Sequence, residues 1–448
     1  METASNARSS RTLPALPTEL RWFMIISLVC LALSILSVVL RVLLVHVPQH
    51  GLPSAIYTKD WFGDVYAYIG KVDIIHSPTM YTEGVRYYYP APAIFVYVFL
   101  HWFAGPARVF ARSCYALVGI ALAAIALMCL RMHRSLQERG INAKQSFLFL
   151  LTALICSWPV DYALHQGNIE ALLWVGVAVA LWAYYRGNWW LFAIMIGIFG
   201  SAKIYPMLFL ALCLRPRKFM PMLLSIAVFA GVTVASLAYL GPNVLEANRR
   251  VSEGVHIFGA LNLAPAFAWP GAAMFEHSFC GFLHLLLDGH PSILMPILKV
   301  YLPTLGVLLM VAFFARVWKM PRANQVLFIA LACVSAPTMS LDYTLELLYI
   351  PFAWIVLAIA ESAMEGRRIP GATATMACFA LVLSPELFIY IGGRDLYGQS
   401  KSVVLAVMFF LALRYPFADG NDAALTDVQH EQKSAPFAVT PLPGASRP

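Results

Sequence analysis

Apolar runs of roughly 15 to 25 residues recur along the whole chain and alternate with short polar segments. A run of about 20 apolar residues is long enough for an α-helix to cross the hydrocarbon core of a bilayer. The pattern therefore predicts an all-α, polytopic transmembrane bundle of about 12 spans. The predicted spans lie near 22–45, 113–130, 145–160, 169–185, 188–203, 205–214, 219–240, 293–315, 324–341, 343–362, 371–391 and 401–415.

Two apolar segments fit this scheme less well than the others. The segment 205–214 is short for a full span unless the bilayer is thin at that point. The stretch from Pro90 to Phe103 has no partner in the alternation of inner and outer loops. We expect this stretch to form a re-entrant or interfacial helix.

The composition supports a membrane protein and excludes two other classes. Hydrophobic residues make up 60% of the chain and charged residues 12%, and the mean hydropathy is +0.72. These values exclude a soluble globular enzyme and a disordered chain. The net charge of +8 is spread over many short loops, which argues against a nucleic-acid-binding face. The eight cysteines include no CxxC pair, so they predict neither a zinc site nor a redox motif.

Basic residues set the predicted orientation. Placing the basic clusters on the cytoplasmic side satisfies the positive-inside rule and puts both termini there. The clusters contain Arg8, Arg11 and Arg21; Arg131, Arg134, Arg139 and Lys144; Arg215, Arg217 and Lys218; Arg316, Lys319 and Arg322; and Arg367 with Arg368. The chain then divides into a cytoplasmic segment 1–21, a membrane catalytic domain 22–415 and a disordered cytoplasmic tail 416–448. Two outer loops, 46–90 and 241–292, carry short helices, acids and aromatic residues.

The first outer loop contains the clearest candidate for a general base. Asp60, Asp64 and Tyr68 follow one another at intervals of four residues, so on a helix they share one face. A carboxylate at the membrane surface with tyrosines around it is suited to deprotonating a hydroxyl group. The alternative is that these acids are solvated loop residues and that Asp60 caps a helix. Arg86, at the end of the loop, is a candidate substrate ligand.

A second polar pattern lies between two predicted spans at the same membrane face. His165, Gln166, Asn168 and Glu170 fall within six residues at the predicted start of a helix. Side chains of this kind, together with free backbone N–H groups, can bind an anion or a sugar. The alternative is a polar cap that serves only the helix.

Two further charged residues lie at the junctions of apolar runs. Lys203 is flanked by long apolar segments, and a lysine at membrane depth costs roughly 2.5–3.5 kcal/mol, so it is a functional candidate. Pro206 breaks the helix just after it and frees backbone groups to face a cavity. A snorkelling lysine at a helix end is the alternative. Asp342 can either position a substrate hydroxyl or pair with a basic residue.

These patterns, in this order, resemble glycosyltransferase family 87, a family of polyprenyl-phosphate-mannose-dependent mannosyltransferases of GT-C architecture. The resemblance covers roughly residues 20–415. The matching elements are Asp64 with Tyr68, Ser77 to Tyr81, Tyr88-Tyr89-Pro90-Ala91-Pro92, Gln166-Gly167-Asn168 with its order changed, Lys203 to Pro206, and Ser335 to Tyr343. Two features depart from the family pattern: Ala91 displaces one proline, and the histidine that many relatives carry near the position of Asp342 is absent.

The resemblance implies a membrane glycosyltransferase that uses a polyprenyl-phosphate sugar donor and a lipid or glycan acceptor. Asp64, or else Asp60, acts as general base on the acceptor hydroxyl. Lys203, with His165 and Gln166, stabilises the departing phosphate, while Tyr68, Arg86, Asn168 and Asp342 complete the expected substrate contacts. Transfer is expected to be a single displacement with inversion. The sugar is expected to be mannose or a similar one.

The remaining expectations follow from the same picture. We expect a monomer in the inner membrane, with the active site facing the periplasm or exterior, no nucleic-acid partner, and no cofactor or divalent metal. The main alternative is a flippase or transporter of a lipid-linked saccharide or small solute. A structural subunit of an envelope complex is a third possibility. A transporter would place its polar ligands near the bilayer midplane, whereas the candidates here cluster at one face.

Overall fold

The computed structural model describes residues 16–40, 43, 62–82, 87, 89–105, 108–214, 217–258, 275–287, 290–385, 390–391 and 394–418. The described chain is almost entirely helical, as the apolar pattern predicts. The exception is a short antiparallel ladder between β1 (Tyr390–Ile391) and β2 (Arg394–Asp395), in which Tyr390 lies opposite Asp395. The termini and parts of both predicted outer loops, including Asp60 and Arg86, lie outside the described residues.

The helices are numbered along the chain. The first part forms α1 (Thr18–Leu40), α2 (Gly63–Ile69), α3 (Thr79–Thr82), α4 (Ile94–Ala104), α5 (Val109–Glu138), α6 (Ala143–Ile155), α7 (Trp158–Gln166), α8 (Glu170–Tyr185) and α9 (Trp189–Ala202). The second part forms α10 (Ala211–Leu214), α11 (Phe219–Leu240), α12 (Val244–Phe258), α13 (Phe279–Leu286), α14 (Pro291–Ala315), α15 (Arg322–Ser335), α16 (Tyr349–Met364), α17 (Ala372–Leu383) and α18 (Tyr397–Arg414). Short 3₁₀ helices occupy Gly70–Ile74, Ala91–Ala93, Tyr205–Leu210, Val317–Lys319 and Asp342–Leu348.

Fewer helices than predicted are long enough to cross a membrane alone. Five described segments meet the length and hydropathy of a span: Thr18–Leu40, Val109–Glu138, Phe219–Leu240, Ser292–Lys319 and Asp342–Met364. A sixth is possible if α6 and α7, which meet at a bend of 46°, act as one span. Several predicted spans correspond instead to apolar helices of 10–17 residues. The estimate of about 12 spans is therefore not confirmed, whereas the helical membrane class is.

The core lies around α15, whose residues from Ala323 to Ser335 are all buried. A helix that is buried on every side belongs to the centre of a bundle. The outer helices differ, because α1 and α14 expose large apolar side chains such as Leu33 and Val311. Such surfaces are suited to contact with lipid tails, which make no demand for hydrogen bonds.

The predicted loop 46–90 packs onto the helical bundle through α2. This short helix contacts α4, α5 and α7. The backbone N–H of Phe62, just before α2, donates to the carbonyl of His165 at 2.7 Å. The end of α7 turns sharply at Gly167, where φ is +65°. A β-carbon at Gly167 would lie 2.8 Å from Cγ2 of Val65, so only glycine permits this close approach.

Gly371 and Gly187 provide a matched test of packing against backbone strain. Both have positive φ, +77° and +74°, so alanine at either position costs about 1–2 kcal/mol in backbone strain. Only at Gly371 would the new β-carbon meet another side chain, at 2.3 Å from Cδ2 of Tyr415. We expect Gly371→Ala to lower the thermal midpoint in detergent clearly more than Gly187→Ala does. Equal losses in thermal midpoint would show that the Tyr415 side chain moves aside without a cost in stability.

Candidate active site

Separate segments of the chain bring polar side chains together at the N-terminus of α8. They are the first turn of α2, the chain before the 3₁₀ helix Ala91–Ala93, the turn between α7 and α8, the end of α9, and the 3₁₀ helix Asp342–Leu348. Each is a helix end or a break between helices. At such positions some backbone N–H and C=O groups have no partner within a helix, so polar side chains can bond to them.

Asp64 is the carboxylate that the first outer loop contributes. It lies in the first turn of α2 and accepts a hydrogen bond from Nδ2 of Asn168 at 2.5 Å. Asp64 is only partly exposed, and burial raises the pKa of its carboxyl. The hydrogen bond from Asn168 and the charge of Lys203 partly offset that rise. Asp64 is therefore held in one orientation and is a stronger base than a solvated aspartate.

Asn168 owes its orientation to the turn that it ends. Its Oδ1 accepts from the backbone N–H of Glu170 at 2.9 Å, which caps the start of α8. The amide oxygen is thereby used, and Nδ2 is directed toward Asp64 and toward the hydroxyl of Tyr89, 3.0 Å away. Of the two alternatives that the sequence left for this turn, the structure shows the polar cap, and the capping side chain also bonds to Asp64.

Lys203 supplies the positive charge of the site. It follows α9 in an extended conformation, with φ −144° and ψ 130°, and the 3₁₀ helix containing Pro206 begins two residues later. Its ammonium pairs with the carboxylate of Glu170 and lies 5.0 Å from the ring centre of Tyr343 and 5.5 Å from that of Tyr89. The Lys203 side chain is 14% exposed and that of Glu170 is 1% exposed. The lysine is therefore held by a buried carboxylate and two aromatic rings, and part of its side chain remains exposed.

A second buried acid lies next to this ion pair. Glu346 is buried and lies three residues after Tyr343, so in a 3₁₀ helix the two side chains lie on the same side. Glu346 interacts electrostatically with both Glu170 and Lys203. Within the described residues, Oε2 of Glu346 and Oε1 of Glu170 are buried without a hydrogen-bond partner. Each of these two carboxylate oxygens therefore lacks a hydrogen-bond donor.

A cluster of tyrosines lies behind Asp64. Tyr68 is buried, and its ring centre lies 5.3 Å from those of Tyr89 and Tyr97 and 5.8 Å from that of Tyr87. Asp64 and Tyr68 both face Tyr89, as their spacing of four residues predicts. In the structure, Tyr68 is a packing partner of the tyrosine that contacts the site.

Asp342 lies in a separate, closed network. It is fully buried and accepts from Nζ of Lys401 at 2.7 Å and from Nε1 of Trp158 at 2.8 Å. Nδ1 of His277 lies 3.2 Å from its other oxygen. Of the two roles that the sequence left open for Asp342, pairing with basic residues is the one that the structure shows. A histidine does accompany Asp342 in space, although it is distant in sequence.

The same network attaches the second outer loop to the bundle. Glu276 accepts from the backbone N–H groups of Ser278 at 2.7 Å and Ser340 at 2.9 Å. His277 bonds through its backbone N–H to the carbonyl of Ser340 at 3.0 Å. Burial raises the pKa of Glu276 to about 7 and lowers that of His277. These contacts fix the residues around Glu276 against the segment that leads into the 3₁₀ helix of Tyr343.

The structure brings together some of the residues singled out from the sequence. Asp64, Asn168 and Lys203 share one cluster. His165 is buried, with Nδ1 at 3.4 Å from Nε2 of Gln166, and the partly exposed Gln166 lies near Gly63 at the start of α2. Asp60 and Arg86 lie outside the described residues.

Several residues of these two clusters were missed in the sequence or named only in passing. They are Tyr89, Glu170, His277, Tyr343, Glu346 and Lys401. Lys401 carried a weak signal, because it lies two residues before the apolar run of the last helix, α18. The described residues contain no group of three or more His, Cys, Asp or Glu side chains that could hold a metal ion.

The fold and the site define a helical membrane protein with a carboxylate and a lysine gathered at one set of helix ends. The chain matches the model of glycosyltransferase family 87 over residues 87–385, about two thirds of its length. It therefore belongs to glycosyltransferase family 87 and is a membrane glycosyltransferase, as the motifs predicted. The matched range includes Tyr89, Asn168 and Lys203, whereas Asp64 and Lys401 lie outside it. No curated protein and no solved structure matches the chain significantly.

The buried pair of Asp342 and Lys401 predicts a stability effect. We expect Lys401→Met to lower the free energy of unfolding by about 3–5 kcal/mol, because it leaves a fully buried carboxylate without its counter-charge. Lys144→Met is the control, since Lys144 is exposed at the start of α6. Thermal unfolding of the two variants in the same detergent measures the difference. Similar midpoints would contradict a structural role for the pair.

Proposed function

We propose that this glycosyltransferase moves a sugar, mannose or one like it, from a polyprenyl phosphate to a hydroxyl of a lipid or glycan acceptor. The reaction takes place at the outer face of the inner membrane, and Asp64 is the general base. The observation that carries the proposal is that Asp64 and Lys203 lie in one cluster of polar side chains, close enough to interact electrostatically. Asn168 and Glu170, only two residues apart, bond to Asp64 and Lys203 respectively.

Asp64 fits the role of base by position and by environment. Its carboxylate is partly exposed, so an acceptor hydroxyl can approach it. Burial raises its pKa, which brings its proton affinity closer to what proton transfer near neutral pH requires. Asn168 holds the carboxylate in place, and the acceptor oxygen attacks the anomeric carbon as its proton passes to Asp64.

Lys203 fits the role of a counter-charge for the leaving polyprenyl phosphate. Negative charge grows on the phosphate oxygen as its bond to the sugar breaks, and a preorganised ammonium in a pocket of low polarity stabilises that charge. Glu170 and the rings of Tyr89 and Tyr343 fix the ammonium before the substrate arrives. Because lysine supplies the positive charge, the proposal includes no divalent metal.

The proposed stereochemistry is inversion by a single displacement. A double displacement with retention needs two carboxyl groups about 5–5.5 Å apart, one of them free to attack the sugar. Glu170 is paired with Lys203 and almost fully buried, so it is poorly placed to act as a nucleophile.

Removing the base tests the proposal directly. We expect Asp64→Asn to lower transfer of labelled sugar by 10²-fold or more, a typical contribution of general base catalysis. The amide preserves the size of the side chain, so donor binding and thermal stability should change little. Asp73→Asn is the control, because Asp73 lies in the same loop with its side chain 71% exposed. Full activity of Asp64→Asn would rule out Asp64 as the base.

The hydrogen bond from Asn168 predicts a pH effect. Asp64 acts as a base only when it is deprotonated, so the rate falls as the pH drops through its raised pKa. Asn168 lowers that pKa, and Asn168→Ala should therefore move the acid limb of the pH–rate profile to higher pH. Asn142→Ala, which removes a cap at α6, should leave the limb in place. If the acid limb of Asn168→Ala lies at the same pH as that of the unaltered protein, the ionisation behind that limb does not belong to Asp64.

A further inference from the structure

A large cavity lies between α5, α8 and α16, away from the candidate active site. Its volume is about 740 Å³. None of its lining residues belongs to the cluster around Asp64 and Lys203. The lining on α8 begins at Trp174, one turn after Glu170, and its basic end lies at the opposite end of the helix, which ends at Tyr185. A helix of 16 residues is about 24 Å long, so the basic end of the cavity is distant from the site of transfer.

The wall of the cavity changes in character along its length. One end is apolar, where Leu127 and Met128 of α5 and Trp174 of α8 contribute to the lining. The other end is basic, with Arg131 and Arg134 of α5 and Arg186 of α8, the residue that caps it. Along α5 the lining runs from residue 124 to residue 139, which is about 22 Å of helix. A groove of this length and polarity gradient matches an amphiphile with a charged head and an apolar tail.

The charges at the basic end are available to a ligand. Arg131, Arg134 and Arg186 are exposed, and none of them has a carboxylate within 4.0 Å among the described residues. The guanidinium of Arg131 lies 5.7 Å from the ring centre of Trp182, which holds it against the wall of the cavity. Arg139 differs, because it pairs with Glu361 at 3.7 Å. Glu138 is the only acid among the described residues that line this end, so their balance of charge is positive.

We propose that this cavity binds an anionic phospholipid, with its phosphate between Arg131, Arg134 and Arg186 and an acyl chain along the apolar wall. Basic pockets between transmembrane helices are a recurring site for anionic lipid head groups. Guanidinium groups bind phosphate through paired, charge-assisted hydrogen bonds. The bound lipid fills the space between three helices that otherwise leave it open, so it stabilises the bundle. The site is independent of the sugar donor.

The test compares lipids that differ only in charge. We expect phosphatidylglycerol to raise the thermal midpoint of the purified full-length protein in a concentration-dependent way, because it binds the folded state alone. Phosphatidylcholine with the same acyl chains and inorganic phosphate should have little effect. Equal stabilisation by phosphatidylcholine would overturn the recognition of charge. Stabilisation by inorganic phosphate alone would overturn the lipid as ligand.

Variants separate this cavity from a general attraction of the basic surface for anionic lipids. The double variant Arg131→Gln, Arg134→Gln should bind phosphatidylglycerol at least about tenfold more weakly. The double variant Lys144→Gln, Lys319→Gln removes two exposed charges outside the cavity and should bind as the unaltered protein does.

A third variant tests the apolar wall. Ala178→Phe fills the cavity and keeps every arginine, and it should also weaken binding. If the arginine variant bound normally, or if the lysine variant lost binding equally, the proposed site would be wrong. Normal binding by Ala178→Phe would likewise exclude an acyl chain in the cavity.

Discussion

The hydrogen bonds of Asn168 hold the candidate active site together. Its oxygen caps α8, and its nitrogen bonds to Asp64 on α2 and to Tyr89. The turn can approach α2 this closely because Gly167 has no side chain and adopts a positive φ. One turn thus sets the orientation of the proposed base and the position of Glu170, which in turn holds Lys203. The positions of the charged groups in the site therefore depend on the backbone geometry of this turn.

The cost of charge in an apolar environment explains how the remaining polar groups are arranged. Lys203 pairs with Glu170, and Lys401 pairs with Asp342, which also bonds to Trp158. Removing one member of such a pair leaves the other buried and uncompensated. The two pairs differ in exposure, because the Lys203 side chain is 14% exposed whereas those of Lys401 and Asp342 are 2% and 0% exposed. The first pair can therefore serve catalysis, and the second anchors α18 and the residues around His277.

Local sequence patterns predicted the helices and part of the site, but not the contacts between distant segments. The spacing of Asp64 and Tyr68, the polar turn at Asn168 and the intramembrane charge of Lys203 are all local signals. The pairing of Lys203 with Glu170 and the contact of His277 with Asp342, 65 residues away, depend on tertiary packing. The number of spans is not confirmed, because an apolar run in the sequence indicates burial without distinguishing lipid from protein. Helices such as α15 are too short to be counted as spans and are buried by their neighbours.

Helix α8 extends from the candidate active site to the basic end of the cavity. Its N-terminus carries Glu170 and adjoins Asn168, while its C-terminal end contributes Trp182 and Arg186 to the basic cavity. A single helix of about 24 Å therefore joins the site of proposed transfer to a basic region at its other end. Glu170 begins the helix and Arg186 follows its last residue, so the helix carries opposite charges at its two termini. Under the positive-inside rule, the Asp64 end faces the side on which the lipid-linked donor is proposed to react.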